Sequence, residues 1–129
     1  MSIITTHVLD VVLGKPGAGI AVRLDKQDGG GWIEVSSDDD SAQLVEDTPR
    51  DWIGVSTGVT DADGRCRALA AYAEPGVYRL TFSTGAYLEG LGRTTIYPEI
   101  SVIFNCCGET HYHLPLLLSD NGYTTYRGS

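Results

Sequence analysis

The sequence contains no apolar run long enough to cross a membrane, and it has only three cysteines. Two of these, Cys106 and Cys107, are adjacent, which is a poor arrangement for a disulfide framework, so we expect reduced thiols. The first residues also lack the basic and apolar segments of a secretory signal. These absences favour a cytoplasmic protein that does not span a membrane.

Basic residues are scarce as well. The 129 residues include nine Lys and Arg against 17 Asp and Glu, which gives a formal net charge of −8. Nucleic acids and anionic membranes both require a basic face, because a protein must replace the counterions around their phosphates. We therefore expect neither as a partner. Seven of the acids lie from Glu34 to Asp51, and we interpret this stretch as a solvated loop.

Short strands dominate the pattern that is present. Apolar or alternating runs are separated by clusters of Gly, Pro, Asn and Asp, which is typical of an all-β sandwich or barrel. The segment 84–91 is the one plausible helix, and its two glycines make it short. We expect about eight strands, over residues 3–12, 19–25, 52–60, 65–71, 77–83, 97–105, 111–119 and 122–127.

The residues that could take part in catalysis are the three histidines and two of the arginines. Strand alternation places His111 and His113 on one face, so an imidazole there could meet His7 across neighbouring strands. An imidazole has a pKa of about 6.5, which suits a general base near neutral pH. A guanidinium from Arg65 or Arg127 would disfavour the charged imidazolium and could hold an anion or a developing oxyanion.

Each feature alone has a simpler structural interpretation, but together they resemble the transthyretin-like 5-hydroxyisourate hydrolases along nearly the whole chain. The closing motif is the most specific, since the family carries it at the C-terminus. The motifs are Thr5-Thr6-His7-Val8-Leu9-Asp10 with Gly14-Lys15-Pro16, Thr60-Asp61-Ala62-Asp63-Gly64-Arg65, Tyr97-Pro98-Glu99-Ile100, His111-Tyr112-His113-Leu114-Pro115-Leu116-Leu117-Leu118-Ser119 and Tyr126-Arg127-Gly128-Ser129.

The resemblance implies a transthyretin-like (prealbumin-like) β-sandwich of seven to eight strands with one short helix, assembled as a homotetramer with active sites between subunits. It implies hydrolysis of the cyclic amide of 5-hydroxyisourate to 2-oxo-4-hydroxy-4-carboxy-5-ureidoimidazoline in urate degradation, with no metal or other cofactor. By the same resemblance His7, Arg65 and His113 are catalytic. Whether His7 or His113 removes the proton from water stays open here. The residues expected to shape the substrate pocket are Tyr126, Arg127, Gly128 and Ser129.

The resemblance has one interruption and leaves two alternatives. We expect a single domain over residues 1–129 with an inserted loop at about 30–51, where no catalytic position falls. A transthyretin-like small-ligand binding protein without catalysis is the main alternative, because that fold also serves as a carrier. The imidazole pair and the Tyr-Arg-Gly-Ser ending favour the enzyme. A metal site is the other alternative, but vicinal cysteines depart from usual zinc spacing, and we predict none. Its potential ligands are Cys106, Cys107, His111 and His113.

Overall fold

The computed structural model describes residues 2–28 and 51–128. Positions 30–50 of the predicted insertion lie outside these ranges, as does Ser129. No helix in the described part of the chain is long and apolar enough to cross a membrane. The elements are β1 (Ser2–Asp10), β2 (Lys15–Pro16), β3 (Ala21–Gln27), β4 (Trp52–Val59), β5 (Arg65–Ala73), β6 (Gly76–Phe82), α1 (Thr84–Gly90), β7 (Ile100–Cys106), β8 (His111–Ser119) and β9 (Gly122–Thr125).

The strands form two sheets packed face to face. The first sheet has the order β2-β1-β8-β9, with β5 also paired to β1, and the second has the order β4-β3-β6-β7. Strands β1 and β8 run parallel, whereas the other pairs are antiparallel. Alternate residues of β1 are buried, as expected for a strand with one face on a core. The predicted all-β sandwich with one short helix is confirmed.

Apolar side chains from both sheets fill the space between them. Ile4 and Val8 of β1 are completely buried there, as are Leu24 and Leu80 of the second sheet. Burying side chains of this size stabilises the fold by roughly 1.5–3 kcal/mol each. The same alternation turns the intervening residues of β1 to the outer face of the first sheet, which is only partly covered.

Strand β1 ends at Asp10, two residues before the predicted end. The reason is local: Oδ1 of Asp10 accepts hydrogen bonds from the backbone N–H groups of Val12 and Leu13, each at 3.1 Å. An aspartate side chain that bonds the backbone two and three residues later favours a turn over a continued strand. The chain then returns, and Lys15–Pro16, which lies between two predicted strands, pairs with β1 as a ninth, two-residue strand.

Buried Asp10 also ties β1 to the segment after the helix. Tyr87 Oη donates to its Oδ2 at 2.8 Å, and Arg93 Nη1 donates to the same oxygen at 2.5 Å. Arg93 Nε donates in addition to Asp120 at 2.8 Å. Burial by itself would raise the pKa of Asp10, but the hydrogen bonds from Arg93, Leu13 and Tyr87 outweigh it and lower that pKa. Burial, with the hydrogen bond to Asp10, raises the pKa of Tyr87 to about 12.

Candidate active site

The outer face of β1 lies between two other strands that carry polar side chains. On one side β8 runs parallel to β1, so that Thr5 lies beside His113. On the other side β5 runs antiparallel, and His7 pairs with Arg65. Strand β1 thereby brings two imidazoles and a guanidinium from distant parts of the sequence into one region.

The imidazole rings lie within reach of a common small molecule. The ring centroids of His7 and His113 are 6.5 Å apart, and those of His111 and His113 are 6.1 Å apart. The rings of His111 and His113 line a groove of about 360 Å³, within the size range of small-molecule sites, whereas the ring of His7 does not line it. Its lining includes Ile3, Thr5, Arg65, Arg67, His111 and His113.

A tight turn positions Arg65 at the start of β5. Oδ1 of Asp61 accepts hydrogen bonds from the backbone N–H groups of Asp63 at 2.9 Å and of Arg65 at 3.0 Å. The bond from Arg65 is the main reason why the pKa of Asp61 is lowered. Gly64 has φ +76°, and a Cβ at this position would lie 2.3 Å from the carbonyl oxygen of Val8. Only glycine allows this close contact between the turn and β1.

The described end of the chain lies against His113. The N–H of Gly128 donates to the carbonyl oxygen of His113 at 2.7 Å, and the two residues form an isolated antiparallel bridge. A Cβ at position 128 would lie 2.6 Å from Cδ2 of the His113 ring. The absence of a side chain at Gly128 is therefore what permits the close approach.

The other described residues of the closing motif lie farther from the groove. The guanidinium of Arg127 lies 4.8 Å from the ring centroid of Tyr112, which is a cation–π contact. Tyr112 is buried and alternates with His113, so it points to the opposite face of the sheet. Tyr126 is 52% exposed.

The surroundings of His113 keep its imidazole neutral near pH 7. Burial is the largest reason why the pKa of His113 is lowered, and the nearby charges of His111, His7 and Arg65 add to it. A base must be unprotonated before it acts, so this environment suits a general base. The lowered pKa of His113 and its position beside the groove therefore both suit a general base.

Sequence reasoning assigned no role to three polar residues that line the groove, Thr5, Thr6 and Arg67. Oγ1 of Thr5 lies 2.8 Å from Nδ1 of His113 and 2.8 Å from Nε2 of His111. Arg67 lines the groove two positions after Arg65. Strand alternation was the available signal, since it places Thr5 on the face of His7 and Arg67 on the face of Arg65.

The four potential metal ligands near residue 110 do not converge. Cys106 is buried in the core from the second sheet and Cys107 is exposed, and no disulfide joins the three cysteines of the described residues. His111 and His113 lie on the outer face of the first sheet. Over residues 2–28 and 51–128, no group of three His, Cys, Asp or Glu side chains is placed to hold a metal ion.

The sequence and fold match one known family. The model of the HIUase/Transthyretin family matches residues 4–128. This chain belongs to the HIUase/transthyretin family. One relative in the family is a 5-hydroxyisourate hydrolase of Salmonella dublin, 40% identical over 131 residues, with 99% of this chain and 82% of that protein covered.

Solved structures of the HIUase/transthyretin family include proteins with two different descriptions. The 5-hydroxyisourate hydrolase of Klebsiella pneumoniae superimposes with a TM-score of 0.76 at 32% identity over the full length of both chains. Sea bream transthyretin in complex with thyroxine superimposes with a TM-score of 0.77 at 30% identity, covering 97% of this chain and 93% of that one. Because the backbone resembles both, the side chains of the groove must decide between them.

Proposed function

We propose that this protein is a 5-hydroxyisourate hydrolase that opens the cyclic amide of its substrate to give 2-oxo-4-hydroxy-4-carboxy-5-ureidoimidazoline. One observation carries the proposal: His7 and His113, with ring centroids 6.5 Å apart, share the outer face of the first sheet with Arg65. The hydrolase relative of 40% identity supports it.

The chemistry is general-base hydrolysis. One of the two imidazoles removes a proton from water as the water oxygen attacks the lactam carbonyl carbon. Arg65 stabilises the resulting oxyanion, the carbon–nitrogen bond breaks, and the leaving nitrogen takes up a proton. General-base catalysis of this kind contributes roughly 10²–10⁴ in rate. Gly128 supports the site by covering one edge of His113, and the reaction requires no metal.

A carrier function is the second candidate, because sea bream transthyretin is a structural neighbour and its structure is described as a complex with thyroxine. The composition of the groove favours the hydrolase. Carrier sites for apolar ligands are lined mainly by apolar side chains. This groove is instead lined by Arg65, Arg67, His111 and His113 together with apolar Ile3.

The proposal includes a homotetramer in a reducing, cytoplasmic compartment. Leu9 and Leu117 are paired on the outer face of the first sheet and are only half-buried in one protomer, so a second copy seated there would cover them. A groove on the same face would then open between subunits. The three cysteines form no disulfide, and the exposed thiol of Cys107 suits a reducing compartment.

The test is to generate 5-hydroxyisourate from urate with a urate oxidase and to follow its ultraviolet absorbance. We expect the wild-type protein to accelerate its disappearance, and His7→Asn and His113→Asn to lower kcat by ~10² or more. Thr57→Asn introduces the same side chain on the exposed face of the second sheet and should leave the rate unchanged.

Two results would contradict the proposal. If 5-hydroxyisourate decayed no faster with the protein than in buffer, hydrolysis would be excluded and the carrier function would be favoured. Full turnover by both histidine variants would remove the imidazoles from the mechanism.

A further inference from the structure

The hydroxyl of Thr5 sits between two imidazoles. Its Oγ1 lies 2.8 Å from Nδ1 of His113 and 2.8 Å from Nε2 of His111. A hydroxyl has one proton and two lone pairs, so it can donate to at most one of the two rings. When it donates to one ring it accepts from the other, and two arrangements are possible: either His113 or His111 presents N–H to Thr5 while the other presents a lone pair.

The two possible arrangements differ in what they leave at Nε2 of His113. If His113 donates from Nδ1 and Thr5 donates to His111, Nε2 of His113 keeps its lone pair and can accept a proton. In the reverse arrangement Nε2 carries the hydrogen and cannot act as a base. The residues described provide Nε2 of His113 with no hydrogen-bond partner, while Gly128 lies against the adjacent Cδ2. His113 can therefore act as a base only when it donates from Nδ1 to Thr5, and the first arrangement also directs the hydroxyl proton of Thr5 to His111.

We propose that Thr5 is a positioning residue that holds His113 as the Nδ1–H tautomer and connects it to His111, whose exposed ring holds the transferred proton until it returns to His113. The inference rests on the proposed hydrolysis and extends it by assigning His113 as the base. The two proton-transfer steps are the same as in the general mechanism, with the route of each proton now specified.

The proton transfers balance. Water gives a proton to Nε2 of His113 as its oxygen bonds to the lactam carbon. The Nδ1 proton of His113 passes to Oγ1 of Thr5, whose own proton passes to Nε2 of His111. The reverse shift through Thr5 then returns a proton from His111 to Nδ1 of His113. As the carbon–nitrogen bond breaks, Nε2 of the His113 imidazolium gives its proton to the leaving nitrogen, which restores both rings.

The charges around His113 explain why such a route is useful. His7 from β1, Arg65 and Arg67 from β5, and His111 from β8 all carry or can carry positive charge. These charges oppose a positive charge on the His113 ring, as the lowered pKa of His113 also indicates. His111 is exposed, so water solvates its imidazolium. The relay moves the charge from the half-buried ring to the exposed one.

The first test compares three threonine variants. Thr5→Val keeps the shape and removes the hydroxyl, Thr5→Ser keeps the hydroxyl, and Thr57→Val makes the same change on the exposed face of the second sheet. We expect Thr5→Val to lower kcat by about tenfold or more, part of the ~10²–10⁴ that a general base contributes, with little change in KM. Thr5→Ser should restore most of kcat, and Thr57→Val should have no effect. Wild-type kcat in Thr5→Val would overturn the proposal.

A double variant tests whether Thr5 and His111 act in one chain. If they do, Thr5→Val combined with His111→Gln lowers kcat no further than the more damaging single change, because the route is already cut. Two independent structural effects would instead multiply. A multiplicative loss would overturn the relay.

A spectroscopic readout separates the relay from the hydrolase assignment. Nitrogen-15 NMR of the imidazoles should show His113 protonated at Nδ1 in the wild-type protein and a mixture of tautomers in Thr5→Val. This measurement needs no substrate, so the tautomer of His113 can be determined even if the protein fails to hydrolyse 5-hydroxyisourate. An unchanged His113 tautomer in Thr5→Val would overturn the positioning role while leaving the proposed hydrolysis intact.

Discussion

Gly128 is the single residue whose lack of a side chain matters most at the groove. In Gly128→Ala the new methyl group would meet Cδ2 of His113 at 2.6 Å and must displace either the tail or the ring. We expect kcat/KM to fall by about tenfold, equivalent to ~1.4 kcal/mol, with a small change in melting temperature because the contact is local. Steady-state kinetics and thermal melts measure the two effects.

The control for that change is another glycine with space around it. A Cβ at Gly90, at the end of α1, would meet nothing within 4 Å. Gly90→Ala should leave the kinetics unchanged and stabilise the helix by less than about 1 kcal/mol. If Gly128→Ala behaved in the same way, the tail would have no part in the site.

At the residue scale, the sequence identified part of the site: Arg65 and His113 line the groove, and His7 lies beside His113. Family motifs led to His7, Arg65 and His113, and the structure places all three on one face of the first sheet. Thr5 escaped notice because a threonine in a strand is unremarkable until its cross-strand partners are known. Its role depends on the register of β1 against β8, which alternation within one strand does not specify.

The hydrogen-bond network around Asp10 connects three elements, and its loss should lower the free energy of unfolding. Asp10→Asn removes the charge that Arg93 and Tyr87 contact while leaving Arg93 near the protein interior. Removing one member of a buried ion pair costs ~3–5 kcal/mol, and we expect the lower end because asparagine keeps part of the hydrogen bonding. Denaturant unfolding at pH 7 measures the difference.

The pH dependence of that difference has a definite sign. The pKa of Asp10 is lowered on folding, so its stabilisation is complete above the unfolded pKa of about 3.9 and disappears as pH falls through the folded value. Wild type and Asp10→Asn should therefore converge in stability at acid pH. Asp28→Asn, at an exposed position, should differ from wild type by less than about 0.5 kcal/mol throughout. An equal gap at pH 3 and pH 7 would contradict the carboxylate's role.

At the element scale, local patterns located the strands well but not their partners. Alternation and turn residues predicted β1, β3–β9 and α1 within a few residues, since both signals are short-range. The predicted end of β1 was wrong because the strand is ended by the side chain of Asp10. The start of β7 was also wrong: the carbonyl oxygen of Pro98 accepts from the N–H of Gly85, so this segment packs on the helix before the strand begins. The parallel pairing of β1 with β8 joins distant segments and has no local signal.

For the whole molecule, the expected homotetramer predicts a mass in solution of four times the 13.8 kDa of one chain. Leu117→Glu places a charge on the outer face of the first sheet, where subunits are proposed to meet. Burying an unpaired carboxylate there is unfavourable, so we expect smaller species and reduced activity. Multi-angle light scattering with size-exclusion chromatography measures the mass.

The matched control adds the same charge to the other sheet. Thr57 is exposed on the second sheet, and Thr57→Glu should preserve both the tetramer and the activity. A monomer in the wild-type protein would contradict the assembly, and dissociation of Thr57→Glu but not of Leu117→Glu would move the interface to the opposite face.

The pairing of β1 with a strand late in the sequence has a consequence for folding during translation. The hydrogen bond that joins Thr5 to His113 spans 108 positions of sequence. During translation β1 emerges early, and one of its edges stays without a β-partner until β8 has left the ribosome tunnel. Unpaired edges promote aggregation, and contacts between such distant segments form slowly. The nascent polypeptide must therefore keep that edge shielded until β8 has emerged and can pair with β1.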